Sequence, residues 1–128
     1  MNKLLIKFFI ALLAFAVSPF AVAEQKLDIV QIMGQFVQGE YAARKCSKPD
    51  EKTLAKFNSN FSAVIIRATE EMQKRKPGAT VEQITDLFGK ASAAVAKQID
   101  DVLQTGGCND PRIQDLLKRF EIQANLNF

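Results

Sequence analysis

Leu54, Phe57, Phe61, Val64, Ile65, Ala68 and Met72 follow one another at intervals of three and four. That spacing lays a continuous apolar stripe down one side of a helix and gives a strand no consistent face. The stripe is also punctuated as a helix. Ser47-Lys48-Pro49-Asp50-Glu51 sets polar caps, a proline and acids at its start, and Pro77-Gly78 stops it. Glu70–Lys74 and Glu71–Arg75 are i,i+4 pairs in the favourable order on its outer side.

The same period recurs on both sides of this segment. Thr80 opens a third helix, with Gln83 completing a Thr-x-x-Gln capping box. Its stripe is Ile84, Leu87, Phe88, Ala91, Val95, Ile99 and Val102, with an Asp86–Lys90 pair outside it, and Gly106-Gly107 ends it. A fourth begins at Asp110-Pro111 and carries Ile113, Leu116, Leu117, Phe120 and Ala124; the tail from Asn125 is expected to fray, or Phe128 to fold back on the core. The first helix, from Leu27 to Lys45, presents Ile29, Met33, Phe36, Val37 and Tyr41. Gly34 and Gly39 interrupt it at about 1 kcal/mol each against Ala, so they mark either a kink or a close helix approach. No alternating β-branched run or Asn-Gly hairpin signal competes, and an all-α domain follows: a four-helix bundle or an orthogonal helical array.

Residues 1–23 read as a cleavable export signal rather than as part of that domain. Lys3 and Lys7 precede the apolar run Phe8 to Val17, Ser18-Pro19 breaks it, and Ala21-Val22-Ala23 is the small-x-small pattern of a cleavage site after Ala23. Ten apolar residues make about 15 Å of helix, half of a bilayer core. Glu24 rather than Cys follows the cut, so no lipoprotein anchor is expected. This places residues 24–128, a single domain without a membrane span, in the periplasm or outside the cell.

Removal of the signal takes Lys3 and Lys7 with it, leaving 15 bases against 14 acids where the whole chain has 17 against 14. A net charge of +1 offers phosphates no field, and nucleic acid is excluded as a partner. In an oxidising compartment the only two cysteines, Cys46 and Cys108, are expected to pair. Their spacing excludes a CxxC redox motif and a four-ligand zinc cluster. Closing so long a loop is worth about 4 kcal/mol in the chain-entropy model.

The chain contains no His, which removes Ser-His-Asp triads, Cys-His nucleophiles and histidine metal ligands together. Adjacent acids at Asp50-Glu51, Glu70-Glu71 and Asp100-Asp101 point about 100° apart on a helix and do not converge. Asp100-Asp101, near a helix C-terminus where the dipole opposes them, reads as a solvated or partner-facing pair. Lys74-Arg75-Lys76 reads as dipole complementation, and Asn109-Asp110-Pro111 as a cap rather than a calcium loop. Phe57, Phe61, Phe88 and Phe120 fall on the stripes and read as core.

No catalytic residue, cofactor or metal site is expected. An exported, all-helical domain of this size with one long-range disulfide is similar in plan to small periplasmic acid-stress chaperones. It is similar also to immunity proteins that neutralise cell-wall amidase toxins. Both likenesses are of size, compartment and helix content, and neither assigns a role to a residue. The expectation is a non-enzymatic protein acting through an interface with another periplasmic or extracellular protein, as an inhibitor or immunity-type binder does. The alternatives are an envelope-stress chaperone loosened by acid, and a helical bundle that holds a lipid or small molecule in a cavity between the second and third stripes.

Overall fold

The computed structural model describes residues 28–128, which form four helices: α1 (Ile29–Cys46), α2 (Glu51–Arg75), α3 (Val81–Gly106) and α4 (Pro111–Ala124). No strand occurs among the described residues. The expected export signal, its expected cleavage point after Ala23, and Leu27 lie outside them. None of the described helices is long and apolar enough to cross a membrane.

Each helix starts where a side chain can hold its first free amides. The Asp28 carboxylate accepts from the Val30 N–H at 3.0 Å, Asp50 from Thr53 at 2.7 Å and Asp110 from Arg112 at 2.9 Å. Thr80 and Gln83 close the capping box in both directions, at 3.1 and 2.9 Å. Asp28 also meets Arg75 at 2.7 Å, so the middle residue of the basic run fastens the end of α2 to the start of α1. Arg75 reaches Glu71 as well, at 3.2 Å, and Lys90 reaches Asp86 at 3.1 Å. Among the described residues Glu70 and Lys74 form no ion pair.

α1 is the helix on which all the others pack. It buries Met33 and Phe36 of the expected stripe and, with them, Gly39, Ala42 and Ala43, small residues that the 3.6-residue pattern of its large ones does not mark. At Gly39 the close-approach alternative holds. A Cβ there would stand 2.6 Å from Gln123 Oε1 and 3.5 Å from the Phe120 backbone, so α4 crosses α1 at this point. Gly34 meets nothing of the kind.

Phe36 of α1, Phe57 of α2 and Phe120 of α4 form the centre of the core, with ring centroids 5.3 Å apart for Phe36–Phe57 and 4.6 Å for Phe57–Phe120. All three are essentially sealed from water, each contributing about 1.5–3 kcal/mol of burial. Val64 and Ala68 of α2 extend that centre, and Ile84, Ile99 and Ile113 are buried elsewhere in the array.

Cys46 and Cys108 are bonded, with Cα atoms 5.6 Å apart, joining the end of α1 to the turn before α4. The C-terminal tail leaves the helix at Asn125, as expected, and is exposed, but it is held at one point. The Asn60 side-chain amide donates to the carbonyls of Gln123 at 2.8 Å and Leu126 at 2.9 Å, holding the tail against α2. Phe128 stays 61% exposed and sits by the Arg67 guanidinium, 5.5 Å from its ring centroid, instead of entering the core.

Candidate functional site

α3 has the right period but only partial cover. Ile84 and Ile99 are buried, and no residue between them is. Leu87, 41% exposed, and Ala91 lie open, contrary to their place on the expected apolar stripe. The cause lies in the array: α3 packs less closely against α2 and α4 than α1 does, so Leu87 and Ala91 on its stripe stay open while Phe88 and Val95 are half-buried.

Between this stretch of α3 and the sides of α1 and α2 runs a groove with a cavity volume of about 240 Å³. Met33 and Val37 of α1, Phe61 and Ile65 of α2 and Phe88 of α3 make it apolar. Phe61 and Phe88 are therefore half-buried groove walls rather than wholly core residues. A second hollow of about 300 Å³ continues it toward Glu40, Tyr41 and Arg44, sharing Val37, Phe61 and Ser92 with the first.

Two threonines in the lining have already spent their hydroxyls. Thr69 Oγ1 donates to the Ile65 carbonyl and Thr85 Oγ1 to the Val81 carbonyl, each at 2.8 Å. Their donors are thus withdrawn from the groove. Gly89 deepens it: beyond its chain neighbours and its own helix backbone, no described atom lies within 4 Å of the point where a Cβ would stand. A glycine inside a helix costs about 1 kcal/mol relative to Ala, and here it leaves a notch.

The far end of the groove is polar. Arg44 grips Glu40 through Nη2 at 2.7 Å and Nε at 2.9 Å, one turn apart on α1. Beside them the Tyr41 hydroxyl donates to both Asp100 oxygens, at 2.8 and 2.9 Å. The hydrogen bond to Asp100, then burial, holds the phenol above its ordinary titration range. Asp100, expected to be solvated or partner-facing, is instead half-buried and engaged within the fold; Asp101 is exposed. Of the other adjacent acids, Glu71 pairs with Arg75 and Asp50 caps α2. These carboxylates sit in separate places and share no site. Among the described residues no three metal-ligating side chains converge.

Two further hollows are present. One, of about 620 Å³, lies between α2 and the C-terminal tail and is lined by Lys56, Ser59 and the Asn60 that holds the tail. The other, of about 260 Å³, lies between α1 and α4 beside Ile32, Phe36 and Ile122. Gln123 borders it, and its Oε1, buried over Gly39, finds no hydrogen-bond partner among the described residues.

Gly89 and the notch it makes were not singled out by the stripe pattern. The signal lies in Thr85, Gly89 and Ser92, small residues at helical spacing flanking Phe88. No family model, characterised protein or solved structure matches the chain.

Proposed function

We propose that the chain is an exported, non-enzymatic binding protein, which takes apolar side chains of another protein into the groove between α1, α2 and α3. The carrying observation is the open apolar groove beside the middle of α3: between Ile84 and Ile99 this amphipathic helix seals no side chain fully, and Phe88 stays half-buried in the groove with Val37, Phe61 and Ile65. An unpaired apolar seam beside a rigid, disulfide-tied array is the usual form of a protein-docking surface. The groove is open along Ile65, which is 38% exposed, so a small ligand lying in it would keep much of its surface in water. The leader sequence and the Cys46–Cys108 bond support a site of action in the periplasm or beyond it. An inhibitor or immunity role is the specific form this reading favours.

The test is site-specific photo-crosslinking in envelope extract, with the crosslinker at Ser92 in the groove or at the exposed Lys118 of α4. A discrete protein adduct at Ser92 and none at Lys118 is the expected result. Equal labelling from both positions, or turnover of a substrate by the purified protein, would overturn the reading.

The caps favour a second reading, a stress chaperone loosened by acid. Three of the four helices begin on a carboxylate, and acid removes the charge from each. Dye-accessible apolar surface appearing near about pH 2–3 is expected on this reading, and a sealed helical fold at that pH counts against it.

A further inference from the structure

We propose that a basic stripe on the exposed side of α2 seats the protein on an anionic phospholipid surface. This stripe is separate from the groove: Phe61 and Ile65, which line the groove, lie on the opposite side of the same helix.

The charge of the folded chain is unevenly placed. Residues 48–76 hold seven bases against four acids, while the other described residues hold seven against nine. A net charge near zero thus covers one basic side, and an anionic surface feels that side rather than the sum. Lys52, Lys56, Arg67 and Lys74 follow at intervals of 4, 11 and 7, close to one, three and two whole helical turns. They therefore stand in one line along α2, all of them exposed and clear of the buried Phe57, Val64 and Ala68. None of the four has an ion pair among the described residues, whereas Arg44, Arg75, Lys90, Arg112 and Arg119 each have one. Glu70 is the acid that falls among them, and it pairs with neither Arg67 nor Lys74.

The make-up of the stripe selects a bilayer over an acidic protein. Its charges spread along about 33 Å of helix, and three of the four are lysines. A lysine is a mobile point charge with no fixed fork for a single carboxylate, and a sheet of lipid phosphates meets any arrangement of such charges. Two large apolar side chains stand at the middle of the line. Ile66, next to Arg67, is 60% exposed; Phe128, whose ring centroid is 5.5 Å from the Arg67 guanidinium, is 61% exposed. At a bilayer both enter the headgroup boundary while the lysine stems carry their ammonium groups back to the phosphates.

The test is sedimentation of the oxidised protein, purified from cells that export it, with vesicles of two compositions. One is phosphatidylcholine alone; the other is phosphatidylcholine mixed equally with phosphatidylglycerol. Binding to the mixed vesicles and not to phosphatidylcholine is expected, weakening as salt rises. Lys52→Ala/Lys56→Ala should weaken it by about fivefold for each base removed, and Ile66→Ser by about fivefold. Lys97→Ala/Lys118→Ala takes the same charge from exposed positions on α3 and α4 and should leave binding unchanged. Equal losses in the two double variants would assign the attraction to net charge and overturn the proposal. Equal binding to both kinds of vesicle, or to neither, would overturn it as well. Tighter binding to soluble polyglutamate than to the mixed vesicles would give the stripe to an acidic protein instead.

Discussion

The phenolic hydroxyl of Tyr41 on α1 donates to both oxygens of the Asp100 carboxylate on α3, at 2.8 and 2.9 Å, tying the central helix to its least-covered neighbour. Because the folded chain holds this phenol above its ordinary value of 10.0, folding favours the protonated form. The stabilisation is complete below pH 10 and is lost as pH rises through the raised value. Asp100→Asn should return the titration toward the ordinary value, and Tyr41→Phe should lower the melting temperature at neutral pH. With one Tyr and no Trp in the chain, tyrosinate absorbance reads that titration directly.

Acid acts through the caps. Arg75, and then the Val30 amide, hold the Asp28 carboxyl below its ordinary 3.8; the Thr53 amide does so for Asp50, and Arg112 for Asp110. A depressed folded value means that this stability is present above 3.8 and is lost as pH falls through the lowered values. Urea midpoints should therefore fall as pH drops below about 4, and Asp50→Asn, which keeps a capping oxygen without the charge, should shrink that fall. An unchanged pH dependence in this variant would show that the cap carboxylate is not its source.

Gly39 and Gln123 should be coupled. Gly39→Ala sets a methyl against the buried Oε1 of Gln123 and is expected to cost about 1–2 kcal/mol. In a Gln123→Ala background the obstruction is gone, and the same change should recover the helix preference of Ala over Gly, about 1 kcal/mol. Denaturation of the four proteins in this double-mutant cycle measures the coupling, and simple additivity would mean that the two residues do not meet.

Replacing Cys46 and Cys108 together by Ser should destabilise the fold by about 4 kcal/mol through the freed loop, measured by urea unfolding against the oxidised protein. The groove lies along the helix sides rather than at the α1–α4 junction. The variant should keep the capacity to bind under conditions where it remains folded.

Element boundaries were largely legible in the sequence because they are local. A cap is a short-range bond, and Asp50, Thr80 and Asp110 each mark one with their neighbours. The helix periods were legible for the same reason. What covers a stripe is a matter of tertiary packing, and there the pattern misled. Leu87 and Ala91 occupy the same kind of position on α3 that buries Val64 and Ala68 on α2, yet both stay exposed. α1 erred in the other direction. Packed upon by all three other helices, it buries Gly39, Ala42 and Ala43, which carry little hydrophobic signal. Asp100 looked free because its partner, Tyr41, lies far from it in sequence. The groove itself is a difference between two packings, visible only when the helices are set side by side.

Gly89 offers the most direct test of the groove as the binding surface, since a Cβ added there meets open space at the groove's edge. Gly89→Ala and Gly89→Phe should both fold at least as stably as the native chain, the former by up to about 1 kcal/mol more. Capture of the crosslinked partner should survive in the Ala variant and be lost in the Phe variant. Undiminished capture by a folded Gly89→Phe protein would contradict the groove as the site of action.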